Sequence, residues 1–507
     1  MTRPAEVPAP PRWITPWLAA LPALYVISPL ALLALPYLRR LPRPVWWVLG
    51  FYALSQQLPA LFSPEPLLAS LLALARTGLM FGLIGVGVAL RDAQRLQPLA
   101  LGLGVVYVTA LASGALGGAD LLVSRLSHPY MTSITLGLAG ALGVWLALFT
   151  QGRLTWRVPF GLLALGVLLL SGSRGPLAAT LVGCAAGFVI RRGWRLFLGV
   201  LAGAVLLAGV LSLGQRLELD AITRLGSADT TGRDIVWENT LSVIRSEPWS
   251  GAGSYRLGQH LAAPGDACEL WSAPDGQAQV CPGWVRRLGS PWLIAHNVSL
   301  QQLAETGPLG LLGLFVLLGA VMGAALCQRH PLGTAVISGL LVATVNDNTL
   351  LVPSPFFAEV FWVVAGSQLL HLRRLGVGMG ALTAALMLVL SAPLLASALP
   401  FPPSLPPRLA LLNAPSTVSD PRGYTAFARF DLPPGRYRAS LHSCLRSCAR
   451  IVSLPFTVDA EGAPGVMLSG SLRPVRRQTL ELRLHPGTSS LRLQPLGTRR
   501  WTVEVRP

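Results

Sequence analysis

The chain has 507 residues, of which 52% are hydrophobic and only 12% charged. That balance excludes an ordinary soluble domain and places the chain among multi-span membrane proteins. Every one of the 40 basic residues is arginine, which excludes a P-loop lysine or a Schiff-base lysine. The formal net charge is +18, but within the apolar part the arginines fall in short loops between apolar runs. Membrane topology explains them better than a phosphate-backbone footprint, so no nucleic-acid partner is expected.

Taken in order, apolar runs near 14–37, 44–62, 66–90, 97–117, 129–150, 156–172, 175–190 and 195–213 precede one long polar interval, and runs near 307–326, 332–352, 356–371 and 377–399 follow it. Each is long enough to cross about 30 Å of hydrocarbon, so about twelve transmembrane helices are expected. The N-terminus lacks a short apolar core followed by a small-residue cleavage site, so no removable signal is expected.

Alternate loops carry Arg39, Arg40 and Arg43, then Arg91 and Arg95, Arg153 and Arg157, Arg191, Arg192 and Arg195, Arg329, and finally Arg373 and Arg374. Under the positive-inside rule this set is internal. The long interval, both termini and everything past about residue 399 are then external. Arg3 and Arg12 argue mildly for the opposite placement of the N-terminus.

The cysteines fit that assignment. Cys268 and Cys281 lie in the long interval, Cys444 and Cys448 in the tail, and Cys184 and Cys327 stand singly elsewhere. Paired cysteines outside suit an oxidising exterior and make those four the disulfide candidates; the alternative is six unrelated small hydrophobes.

The long interval, 214–306, carries Trp237, Trp249, Trp271, Trp284 and Trp292 among aliphatic residues, which disfavours disorder. The chain therefore divides into N-terminal helices over 1–213, a large external loop over 214–306, C-terminal helices over 307–399 and an external segment over 400–507. In that last part, alternating segments at 424–432, 436–443, 450–458, 478–484, 491–496 and 501–505 predict a small β-sandwich. The fold class expected is an all-α multi-span membrane protein with a large external loop and a β-sandwich-like C-terminal domain.

Several residues can carry chemistry. Arg174 follows Ser171-Gly172-Ser173 at the outer end of a span; a guanidinium at membrane depth is functional by default, or else snorkels to headgroups. Arg233 opens an amphipathic segment from 234 to 246, and arginine suits bidentate recognition of phosphate oxygens; the alternative is a solvated loop arginine. His296 sits just before the chain re-enters the membrane, where a neutral imidazole can take a proton from a hydroxyl. Asn297 is placed to cap the following helix. His260 lies in the more polar middle of the interval. Asn346-Asp347-Asn348 forms a polar cluster that can neutralise an arginine or pair helices. The sequence holds no HExxH, no CxxC and no acidic DxD pair, so no metal or other cofactor is expected.

In their order, Ser171-Gly172-Ser173-Arg174-Gly175, Gly232-Arg233 with Trp237, Pro248-Trp249-Ser250-Gly251-Ala252-Gly253, His296-Asn297 with Gln301, and Glu305-Thr306-Gly307 resemble the O-antigen ligase and Wzy-type polymerase superfamily over roughly residues 60 to 375. The resemblance implies a membrane glycosyltransferase using an undecaprenyl-diphosphate-linked glycan, metal-independent and inverting, at the outer face of the inner membrane. It implies that Arg174 and Arg233 hold the diphosphate and that His296 assists the acceptor hydroxyl. Asn297, Glu305 and Asp347 are the further substrate-binding candidates. Membrane lipids surround the site, and the acceptor is a lipid, protein or glycan. A lipid-linked glycan transporter is the reading from another class; it predicts Gly/Pro-broken spans in both halves, and only 346–355 fits.

Overall fold

The computed structural model describes residues 10–116, 125–126, 128–191, 198, 233–258, 294–345, 347–372 and five short stretches of the tail between 411 and 506. The chain falls into two compact units. One comprises 1–57, 73–227 and 312–390, the other 58–72, 228–311 and 391–507.

The helical part opens with α1 (Ile14–Ala20) and a 3₁₀ segment, Tyr25–Arg40, with Pro29 and Pro36 inside it. Next come α2 (Arg43–Ala60), α3 (Pro66–Leu90), α4 (Leu99–Leu116), α5 (Ser133–Phe149), α6 (Leu154–Leu170) and α7 (Arg174–Ile190). After the long interval come α8 (Arg233–Ser246), α9 (Val298–Gln328), α10 (Pro331–Ala343) and α11 (Phe357–Leu369). In the first unit, close approach rests on small residues. A Cβ on Gly87 would meet the backbone of Val363, Gly366 and Ser367, so α3 and α11 touch almost backbone to backbone. Trp145 of α5 fills the space left by Gly183 of α7 and Gly339 of α10, and its indole donates to the Thr180 carbonyl at 3.3 Å. Small residues at such contacts are how helices associate without a hydrophobic driving force between them.

The expected fold class needs correction. Among the described residues three helical stretches are long and apolar enough to cross a membrane, Pro66–Leu90, Ala93–Leu116 and Val298–Gln328, not about twelve. The reason is that an apolar run also includes its caps and turns. The 129–150 run loses its start to a His128–Met131 bridge and a Thr132 cap, which leaves 17 residues of helix. At 1.5 Å per residue this spans about 25 Å, short of the hydrocarbon thickness. α6 and α7 are also 17 residues long, and α10 and α11 are 13. The 14–37 run splits into α1 and the 3₁₀ segment. Runs 195–213 and 377–399 lie essentially outside the described residues.

The β-sandwich is not seen either. In the tail, β1 (Leu411–Pro415) pairs antiparallel with β2 (Tyr424–Ala428), and a separate three-stranded sheet has the order β4 (Cys448–Val458), β3 (Gly435–Cys444), β5 (Arg500–Arg506). Five strands in two small sheets, with no described strand at 478–484 or 491–496, do not make the expected sandwich. Cys444 and Cys448 are register partners at the β3–β4 turn. Cys268, Cys281 and His260 lie outside the described residues, and Cys184 and Cys327 are free thiols.

Candidate functional site

The second unit contains a built site whose frame is a break in a helix. α9 runs from Val298 to Gln328, but Gly307 has φ 64° and ψ −170° and Pro308 follows it. Proline lacks the N–H that would satisfy the carbonyl four residues earlier, so the Ala304 carbonyl loses its helical partner. The non-helical Gly307 disturbs the next bond in the ladder. Two backbone N–H groups from another segment replace the lost donors: Ala252 donates to the Ala304 carbonyl at 2.8 Å and Gly253 to the Glu305 carbonyl at 2.9 Å. An apolar environment tolerates a broken helix only when freed backbone groups are satisfied in this way.

The approach needs glycine on both sides. Gly251 has φ 65°, and a Cβ there would lie 2.5 Å from the Glu305 carbonyl carbon. A Cβ on Gly307 would collide with the Trp249 carbonyl. The Pro248–Gly253 and Glu305–Gly307 stretches, more than fifty positions apart in sequence, are therefore one structural feature. α8 leads directly into it: the Glu247 N–H bonds the Val243 carbonyl and the Gly251 N–H bonds the Glu247 carbonyl. Arg233 is the first residue of α8.

His296 lies two positions before α9 with φ 49°, a left-handed backbone that non-glycine residues adopt seldom. Its neighbours hold it there. The Ala295 N–H donates to Gln301 Oε1 at 2.7 Å, and Gln301 Nε2 donates to Glu305 Oε1 at 2.7 Å. Asn297 Oδ1 accepts the Leu300 N–H at 2.9 Å, capping the helix. The His296 side chain is half-buried, whereas Asn297, Gln301 and Glu305 are buried. Asn297 and Glu305 are thus both engaged in the hydrogen-bonded frame around the His296 backbone.

Arg256 adds a feature that sequence reading missed. Its guanidinium grips Glu65 in a bidentate pair, at 2.5 and 3.0 Å, with Arg256 buried and the Glu65 carboxylate half-exposed. The partners are 191 positions apart, and no local pattern marks such a pair. Tyr255 beside it also has a left-handed backbone, φ 63°. Arg76 was missed as well: it is 3% exposed inside α3. A single charge within an apolar run was the readable signal there.

In the first unit, Arg174 is the first residue of α7 and is exposed. The turn before it is held by Arg125, whose Nε donates to the Ser171 carbonyl at 3.1 Å and whose Nη2 donates to the Gly172 carbonyl at 3.3 Å and to Ser173 Oγ at 2.8 Å. Arg125→Ala is expected to free this turn, lowering stability by about 2 kcal/mol, and lysine, without the planar fork, recovers only part of that. A thermal melt of the three proteins in detergent checks it. Asp347 is also in this unit; its Oδ1 accepts the Asn348 N–H at 2.8 Å. Thus His296, Asn297 and Glu305 come together with the 248–257 segment in one unit that also contains Arg233, whereas Arg174 and Asp347 belong to the other. Among the described residues there is no group of three or more His, Cys, Asp or Glu side chains able to hold a metal ion.

Comparison with known proteins adds one finding. Residues 159–315 match the family described as O-antigen ligase (Wzy_C). No curated protein matches the chain. The matched segment contains Arg174, Arg233, the Pro248–Gly253 turn, His296 and the Gly307 break; it ends before Asp347 and the tail. Residues 159–315 thus carry a segment of the O-antigen ligase/Wzy-type family.

Proposed function

We propose that the chain is a membrane glycosyltransferase of ligase or polymerase type, which moves a glycan from an undecaprenyl-diphosphate carrier to an acceptor hydroxyl at the outer face of the inner membrane. The observation that carries this reading is the fixed, left-handed His296 at the head of α9, braced by Gln301, Glu305 and the Pro248–Gly253 turn within the matched segment.

In the proposed reaction the acceptor oxygen attacks the anomeric carbon from the face opposite the leaving group. The bond from that carbon to the diphosphate oxygen breaks, and its electron pair leaves with the diphosphate. The acceptor proton passes to the His296 imidazole, which need only be aligned with the hydroxyl. Arg174 and Arg233 are assigned to the diphosphate, where guanidinium groups fixed in advance stabilise the charge that develops on departure. One displacement at the anomeric carbon gives inversion. The external loop over 214–306 is the catalytic region in this reading, and the acceptor is a lipid, a protein or another glycan.

The test is transfer by purified full-length protein from a lipid-diphosphate glycan in the presence of EDTA. The expected result is product formation that survives the chelator; a single added glycan indicates a ligase and a ladder a polymerase. Abolition by EDTA, restored by a divalent metal, would contradict the guanidinium mechanism.

A further inference from the structure

The first unit holds a second feature, at the end opposite in sequence to the turn before α7. Leu90 ends α3 and Leu99 begins α4, both within candidate spans. Between them the turn 91–98 is locked to its neighbours. Gln94 Oε1 accepts the Gln151 N–H at 2.7 Å and its Nε2 donates to the Phe149 carbonyl at 3.0 Å, while Gln97 Nε2 donates to the Gln151 carbonyl at 2.6 Å. Asp92 lies 3.1 Å from His330 Nε2, and the His330 ring accepts the Gly333 N–H through Nδ1, which leaves the proton on Nε2 facing Asp92. That bond holds the Asp92 carboxyl below its usual range.

A cleft of about 650 Å³ opens over this turn, lined by Arg95, Gln94, Gln97, Pro98, Leu90 and Trp156 among others. Arg95 Nη1 is buried and has no hydrogen-bond acceptor among the described residues. The carboxamides beside it are committed to backbone groups of the 149–151 loop, and the acid of the same turn, Asp92, is hydrogen-bonded by His330, with Arg95 acting on it only through its charge. A buried guanidinium nitrogen with no acceptor calls for an oxygen anion. The wall of Leu90, Pro98, Ala100 and Trp156 calls for an apolar body attached to that anion. An indole beside the ends of two spans is the usual arrangement at a membrane–water boundary.

We propose that this cleft is a lipid site in which Arg95 takes the phosphate of an anionic phospholipid headgroup. A headgroup that also carries a quaternary ammonium has no net charge and offers Arg95 less than an anionic one. Pro10 and Thr15 line the same cleft. If the arginine-bearing loops are internal, the N-terminal segment is internal too, contrary to the expectation from loop counting, and the lipid comes from the inner leaflet.

The test uses full-length protein in detergent, with retained lipid counted by native mass spectrometry. The probes are dioleoylphosphatidylglycerol, dioleoylphosphatidylcholine and inorganic phosphate; the variants are Arg95→Gln and Ala100→Phe, each first shown to melt like the parent without lipid. The parent is expected to hold phosphatidylglycerol about fivefold more tightly than phosphatidylcholine, in line with one well-placed arginine. Arg95→Gln is expected to abolish that preference, and Ala100→Phe to weaken phosphatidylglycerol retention. Millimolar phosphate is expected not to displace the lipid. Equal retention of the two lipids by the parent, or an undiminished preference in Arg95→Gln, would overturn the proposal. Displacement by inorganic phosphate would overturn the lipid assignment and leave a free-anion site.

Discussion

Gly307→Val is expected to abolish glycan transfer and to lower the melting temperature sharply. The φ of 64° and ψ of −170° at this position lie in a region that only glycine occupies readily, which costs any other residue about 1–3 kcal/mol. The added side chain would also be driven into the Trp249 carbonyl, and overpacking of that kind costs about 1–3 kcal/mol more. Relief of the clash requires the 248–253 turn to move away, which forfeits the bonds from Ala252 and Gly253 to the broken helix. The control is Gly166→Ala in α6, within the same family segment, where a Cβ meets nothing within 4 Å. That variant is expected to be neutral or slightly more stable, since alanine favours a helix by about 1 kcal/mol over glycine. A Gly307→Val protein that melts with the parent would show that the turn and the break are not a single feature.

Gln301→Leu has the second largest expected effect. Leucine matches glutamine in size but leaves the buried Ala295 N–H without its acceptor and removes the Gln301 bond to the buried Glu305 carboxylate. The loss of stability is about 2–4 kcal/mol. Because Ala295 directly precedes His296, the imidazole is displaced as well, and a misplacement of about 1 Å can reduce turnover about 100-fold. Gln301 is thus a positioning residue, so kcat should fall far more than KM rises. Glu305→Gln keeps an acceptor for Gln301 Nε2 and should retain most activity with an unchanged pH profile. A shifted pH profile in Glu305→Gln would instead mean that the carboxylate takes part in proton transfer.

How far the site could be read in advance depended on whether its chemistry is local. Asn297 was legible as a cap, because a side-chain oxygen three positions before Leu300 is a local pattern, and the cap is present at 2.9 Å. Gly307 and Pro308 stand side by side in the sequence, but nothing there shows what repairs the break they make. The donors that complete it are the backbone N–H groups of Ala252 and Gly253, which any sequence possesses. The Arg256–Glu65 pair and the hold of Arg125 on the Ser171–Ser173 turn were hidden for related reasons: one is remote in sequence, and the other is accepted largely by carbonyls. The count of spans failed because hydropathy measures apolar run length, whereas crossing depends on continuous helix. Thr132, Thr150 and Pro22 interrupt that continuity without interrupting the apolar run. The bond from Gln301 to Glu305 was not legible either, since a carboxylate in the sequence does not show which side chain one turn away it accepts from.

The central claim is that Arg174, Arg233 and His296 serve one reaction. Single-turnover transfer from a lipid-diphosphate glycan tests it most directly, with the parent compared to Arg174→Ala, Arg233→Ala and His296→Ala, all confirmed to fold. The account predicts that each variant loses about 100-fold or more in rate. It also predicts that the two arginine variants bind the carrier diphosphate more weakly and that His296→Ala binds it normally. Full transfer by His296→Ala, or normal diphosphate binding by both arginine variants, would contradict the account and place the chemistry elsewhere in the chain.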